Sequence, residues 1–179
     1  MALAQADRTA APATTILVLW ALSGCHLLND TMQSLLVALF PLLHETFNLN
    51  FTEIGLLAFA FNGVASVLQP LIGWANDRKA RPRMLGLAMA FPAAGLVLLA
   101  LATGYWQLLL AAVLVGIGSS VFHPESARVA RMASGGRFGF AQSLFQVGGN
   151  VGQAIGPLLA AIVVVPLGQG SVGLFAIAA

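Results

Sequence analysis

Long apolar runs separated by short polar stretches set the pattern of this chain. Such runs cover about 16–43, 54–75, 84–103, 106–122 and 138–165, and a sixth begins at 171 and reaches the last residue, 179. About twenty apolar residues in helical form suffice to cross a bilayer. The pattern therefore predicts five full spans and the start of a sixth. At about 1.5 Å per residue the first run covers about 40 Å, longer than the hydrocarbon core, so it is expected to tilt or protrude. Between the runs lie an N-terminal tail (1–13), a polar connector (44–53), a basic connector (73–83), a connector from Arg128 to Arg137 and a turn from Pro166 to Gly170. Pro124 is expected to start a further helical turn or to kink the fourth helix, because it lacks an N–H donor.

Inside the runs, the polar residues recur at helical spacing. His26, Asn29, Asp30 and Gln33 share one face of span one. Asn62, Ser66 and Gln69 share a face of span two, and Gln142, Gln146, Asn150 and Gln153 a face of span five. Span four carries Ser119, Ser120 and His123, whereas span three has no polar side chain from Met84 to Ala102. A polar stripe in hydrocarbon must face protein or water. Spans one, two, four and five are thus expected to surround a polar interior, with span three outside against lipid. On span five, Gly148, Gly152 and Gly156 fall every fourth residue and predict a smooth face for close helix packing, with Pro157 able to bend the helix. A faint repeat aligns Phe61-Asn62-x3-Ser66-Val67-x-Gln69 with Phe145-Gln146-x3-Asn150-Val151-x-Gln153. This places spans two and five in equivalent positions of an inverted repeat of three plus three.

Composition agrees. Of the 179 residues, 59% are hydrophobic and 8% charged, far below the roughly 25% charged of a soluble domain. All eight Lys and Arg residues fall in the tail, after span two or after span four, while the opposite connectors carry Glu45 and Glu53. The positive-inside bias then places the N-terminus and the 73–83 connector in the cytoplasm, as in a multi-pass protein of a bacterial inner membrane. The small positive charge serves orientation, and no nucleic-acid partner is expected. Cys25 is the single cysteine, so no intrachain disulfide forms. Arg8, the apolar Ile16–Leu22 and Leu22-Ser-Gly-Cys25 imitate a lipoprotein signal, but more membrane follows where a soluble domain would be required.

Asp30 lies near the middle of span one. An ionised carboxylate there costs about 2.5–3.5 kcal/mol on insertion scales, and such groups are functional by default. It is a candidate proton carrier whose pKa desolvation would raise, with His26 one turn away; a structural hydrogen bond to a neighbouring helix is the alternative. His26 and Asp30 have metal-compatible spacing but lack a third ligand, so no metal is expected. Asn29, Gln33, Asn62, Gln69, His123, Gln142, Gln146 and Asn150 are candidates for a substrate pathway, or for ties between helices. Glu125 and Arg128, three apart, read either as an exposed pair worth under about 1 kcal/mol or as a latch in which Glu125 meets an arginine of the 73–83 connector. Catalytic signatures such as His-Glu-x-x-His and Gly-x-Ser-x-Gly are absent, and Gly116-x-Gly118 lacks the context of a nucleotide site. Neither enzyme activity nor a cofactor is expected.

Gly73-x3-Asp77-Arg78-x2-Arg81 resembles the signature connector of the major facilitator superfamily, with Ala80 in place of a glycine and Pro82 where a basic residue is common. Gly152-x3-Gly156-Pro157 resembles the glycine-proline motif of that superfamily's drug–proton antiporters, though no basic residue stands midway along span four, near Ala112. Three longer runs, His26 to Leu36, Gly118 to Arg131 and Gln142 to Asn150, resemble the fosmidomycin-resistance branch of efflux transporters. The resemblance implies an all-α polytopic membrane protein, the first half of a 12-helix fold that works by alternating access. Its implied partners are the lipid bilayer, a small organic substrate, protons and a C-terminal half not contained in this sequence. Gly73, Asp77, Arg78, Arg81, Glu125 and Arg128 then form the expected conformational latch. Uptake of organic acids or sugars by the same fold, or an inactive fragment, are the other readings.

Overall fold

A computed structural model describes residues 13–78 and 83–178. The described residues contain helices and no strand: α1 (Ile16–Ala38), α2 (Phe40–Thr46), α3 (Phe51–Arg78), α4 (Met84–Leu101), α5 (Tyr105–Ala133) and α6 (Phe138–Leu159). After α6 the backbone widens into a π-helical segment, Ala160–Val164, and the chain ends in a 3₁₀ helix, Gln169–Ala178. Four helical stretches are long and apolar enough to cross a membrane: Phe51–Asn76, Met84–Leu101, Tyr105–Ala133 and Phe138–Leu167. α1 has 23 residues and carries the polar stripe of His26, Asn29, Asp30 and Gln33.

Several expected boundaries move. The first run is two helices, because Pro41 has no N–H to continue the ladder and α1 stops three residues before it. The connector after it shrinks, since α3 begins at Phe51. There Asn50 and Glu53 form a reciprocal cap, the Asn50 side chain accepting from the Glu53 N–H at 2.9 Å and the Glu53 carboxylate from the Asn50 N–H at 2.8 Å. Gly73 to Arg78 are helical rather than part of a connector. α5 continues through Pro124 and carries Arg128 and Arg131 on its last turns, where a connector was expected. Buried Glu125 and Ser126 hold this stretch against its neighbours, and packing outweighs one missing backbone bond. The π segment starts three residues after Pro157. Gly168, at φ 82°, makes the turn before the 3₁₀ helix.

α5 is the hub. It packs on α3, α4, α1 and α6, while α1 pairs with α6 and the 3₁₀ helix lies along α4. One face of the apolar α4 is thus covered, with Ala88, Leu96 and Leu99 buried and Leu87 and Leu101 exposed. Large apolar side chains such as Phe59, Trp106 and Ile162 are mostly exposed around the bundle, as lipid-facing residues are. The packing carries the repeat seen in the sequence. α1 against α6 corresponds to α5 against α3, and the backbone carbonyls of the aligned Phe145 and Phe61 face His26 and Gly116 respectively.

Candidate functional site

Small residues let α1 and α6 approach closely. A methyl group on Gly148, Gly152 or Gly156 would overlap Ser23, Leu27 or Ser34 of α1. With the helices this near, four side chains bridge them. Ser23 donates to the Leu144 carbonyl at 2.8 Å, Ser34 to the Gly152 carbonyl at 3.2 Å, and His26 Nδ1 to the Phe145 carbonyl at 2.9 Å. Gln153 Nε2 donates to Asp30 Oδ2 at 3.0 Å. Gly149 leaves the space the His26 ring fills, since a methyl there would stand 2.5 Å from Nε2.

Asp30 is 3% exposed and accepts from three amides: Gln153, Asn29 at 3.2 Å and Gln33 at 3.2 Å. These donors replace the water that an ionised carboxylate loses on burial. Two imidazoles also face it. His26 Nε2 lies 3.4 Å from Oδ2, and His123 Nε2, from α5, lies 3.4 Å from Oδ1. His26 is stacked on Phe145 at 4.0 Å between ring centroids, with the His123 ring edge-on to it at 5.1 Å. His123 Nδ1 in turn donates to the Ser119 carbonyl at 2.9 Å. The expectation that His26 and Asp30 lack a third metal-compatible neighbour is therefore corrected, because the tertiary fold supplies His123. Nothing in local spacing joins α5 to α1.

The polar candidates separate into groups. Asp30, Gln33, Asn62 and Gln153 line one open cavity of about 550 Å³ with Phe61 and Pro157. Asn29 is fully buried behind it. Gln142 lies apart, in a cavity of about 540 Å³ with Arg128, Arg131 and Phe138. Gln69, Gln146 and Asn150 are exposed on α3 and α6. Gln153 was visible as the last member of the span-five stripe, but its bond to Asp30 was not.

The Glu125–Arg128 pair is not the exposed pair considered from sequence. Glu125 is fully buried; Arg128 grips it with Nη2 at 2.6 Å from Oε1 and Nε at 3.2 Å from Oε2, and Asn76 of α3 donates to Oε2 at 3.1 Å. Among the described residues, Asn76 is thus the partner of Glu125 across the helix interface. The side chains of Asp77 and Arg78, and all of Arg81, lie outside the described residues, as does the N-terminal tail through residue 12.

Long apolar helices gathered around a buried carboxylate and an open cavity of mixed lining define a polytopic membrane protein. Residues 22–179 match the Major Facilitator Superfamily, and the chain belongs to that family of transporters. It is 54% identical over 166 residues to the fosmidomycin resistance protein of Escherichia coli (strain K12), covering 93% of this chain and 41% of that protein. It is 44% identical over 159 residues to the uncharacterized MFS-type transporter YfnC of Bacillus subtilis (strain 168), covering 88% and 39%. The chain thus spans about two fifths of the length of the curated relatives it matches.

Proposed function

We propose that these helices form the first half of an exporter that expels a small organic compound in exchange for protons by alternating access. The supporting observation is the open cavity walled by Asp30, Gln33, Asn62, Gln153, Phe61 and Pro157, which offers an amphipathic solute both polar and apolar contacts. In this reading Asp30, with His26, couples transport to the proton gradient. Asn62, Gln33 and the exposed Gln69, Gln146 and Asn150 line the route. The membrane is the bacterial cytoplasmic membrane, with the N-terminus inside, as the placement of the arginines supports. Glu125, Asn76 and Arg128 tie α3 to α5 at the cytoplasmic end, and this tie, with Gly73, Asp77, Arg78 and Arg81, is the latch that holds one conformation. A compound like fosmidomycin is the candidate cargo, on the strength of the relative so named.

The test compares drug accumulation in cells with and without the protein. Accumulation should fall when the protein is present, rise again when the proton gradient is collapsed, and be insensitive to the protein once Asp30→Asn is introduced. Accumulation that rises with the protein would show uptake and refute export. Export that survives both gradient collapse and Asp30→Asn would refute the coupling.

A further inference from the structure

We infer that His26, Asp30 and His123 form a binding site for a divalent transition-metal ion of the zinc class. The inference stands on ligand geometry and is independent of the direction of transport, but it bears on the proposed coupling, because a metal ion and a proton would compete for Asp30 and His26. Each imidazole has one nitrogen already committed. Nδ1 of His26 faces the Phe145 carbonyl and Nδ1 of His123 the Ser119 carbonyl, and a carbonyl only accepts, so both Nδ1 atoms carry the hydrogen. Both Nε2 atoms then present lone pairs, in the neutral tautomer, toward the two oxygens of an acceptor-only carboxylate. Three ligand atoms, all within 4.8 Å of one another, thus converge where either a second ring proton or a metal ion can stand between nitrogen and carboxylate.

The distances favour a metal ion over a direct bond. A charge-assisted N–H···O contact settles at about 2.7–2.9 Å, whereas both Nε2–carboxylate distances are 3.4 Å. With metal–ligand bonds of about 2.0–2.2 Å, neighbouring ligands around a tetrahedral ion stand about 3.3–3.6 Å apart, so the three ligand atoms, within 4.8 Å of one another, would draw in somewhat on an ion. The surroundings have the character of an outer ligand shell. Backbone carbonyls hold the Nδ1–H of each histidine, and amides from Asn29, Gln33 and Gln153 orient the carboxylate. Stacking on Phe145 fixes the His26 ring. Two nitrogens and one carboxylate suit Zn²⁺, Co²⁺ or Ni²⁺ and not Mg²⁺ or Ca²⁺, which require mostly oxygen. Asp30 lines the open cavity and His123 is a quarter exposed, so the fourth position is reachable by water or by an oxygen donor of a solute.

Tag-free purified protein, stripped with a chelator, would be titrated with Co²⁺. The expected result is one equivalent bound with the intense visible absorption of a four-coordinate site, displaced by Zn²⁺ and unaffected by millimolar Mg²⁺. His123→Gln, at a partly exposed position, and the isosteric Asp30→Asn should each weaken binding by at least tenfold; Gln153→Ala, which keeps all three ligands, should weaken it less than either. Elution as the same monodisperse species would show that the variants are folded. Absence of the band in the parent protein would overturn the proposal, as would unchanged affinity in folded His123→Gln and Asp30→Asn.

Discussion

Adding one methyl group to α6 at Gly152 tests how tightly the site depends on the approach of two helices. The hydrogen replaced by that methyl points at the backbone of α1: at the Leu27 carbonyl oxygen, with the Thr31 nitrogen at 3.0 Å and the Leu27 carbonyl carbon at 3.1 Å from the added carbon. A carbon needs about 3.3–3.6 Å from a carbonyl oxygen, and no rotamer change can move a backbone atom away. α1 and α6 must therefore separate. Overpacking of this kind costs about 1–3 kcal/mol. Separation also stretches the four bridges made by Ser23, His26, Ser34 and Gln153. At about 0.6 kcal/mol for each interhelical bond, their complete loss would add about 2 kcal/mol. Gly152→Ala should thus destabilise the protein by about 1–3 kcal/mol, and more if the helices part fully. Gly24→Ala is the control, since nothing stands within 4 Å of the added carbon there. It should be neutral, or stabilising by up to about 1 kcal/mol through helix propensity. Equilibrium unfolding in mixed micelles, followed by the fluorescence of Trp20, Trp74 and Trp106, reads both. Equal stability of Gly152→Ala and the parent, or an equal loss in Gly24→Ala, would refute the packing argument.

Two further substitutions probe the ends of the helices. Arg128→Ala removes the charge partner that the fully buried Glu125 has among the described residues and should cost about 3–5 kcal/mol in the same unfolding assay; adding Glu125→Leu should recover most of that loss, and a double variant as unstable as the single one would contradict the buried-pair account. Asn50→Ala removes one half of the reciprocal cap at the start of α3 and should cost about 1 kcal/mol, with faster amide exchange in the first turn of α3; unchanged exchange there would count against the cap.

The sequence by itself was enough for the helical character, the sorting of positive charge and the family. Those properties reside in local composition and period: a twenty-residue apolar run has few other stable fates in a bilayer, because each backbone polar group must be paired internally. It also showed that Asp30 sits on a polar stripe and that Gly148, Gly152 and Gly156 form a smooth one. Only the tertiary structure decided what stands opposite each stripe. Periodicity identifies the polar face of a helix but not the helix that meets it, so His123 beside Asp30, Gln153 donating across to α1, and Asn76 reaching Glu125 left no trace in any local window. Helix ends were decided there too. Pro41 ended α1 whereas Pro124 interrupted nothing, because Glu125 and Ser126 beside Pro124 are buried in the bundle, while Pro41 could start a helix of its own in α2. The same residue type acts differently where packing supplies what its missing N–H takes away.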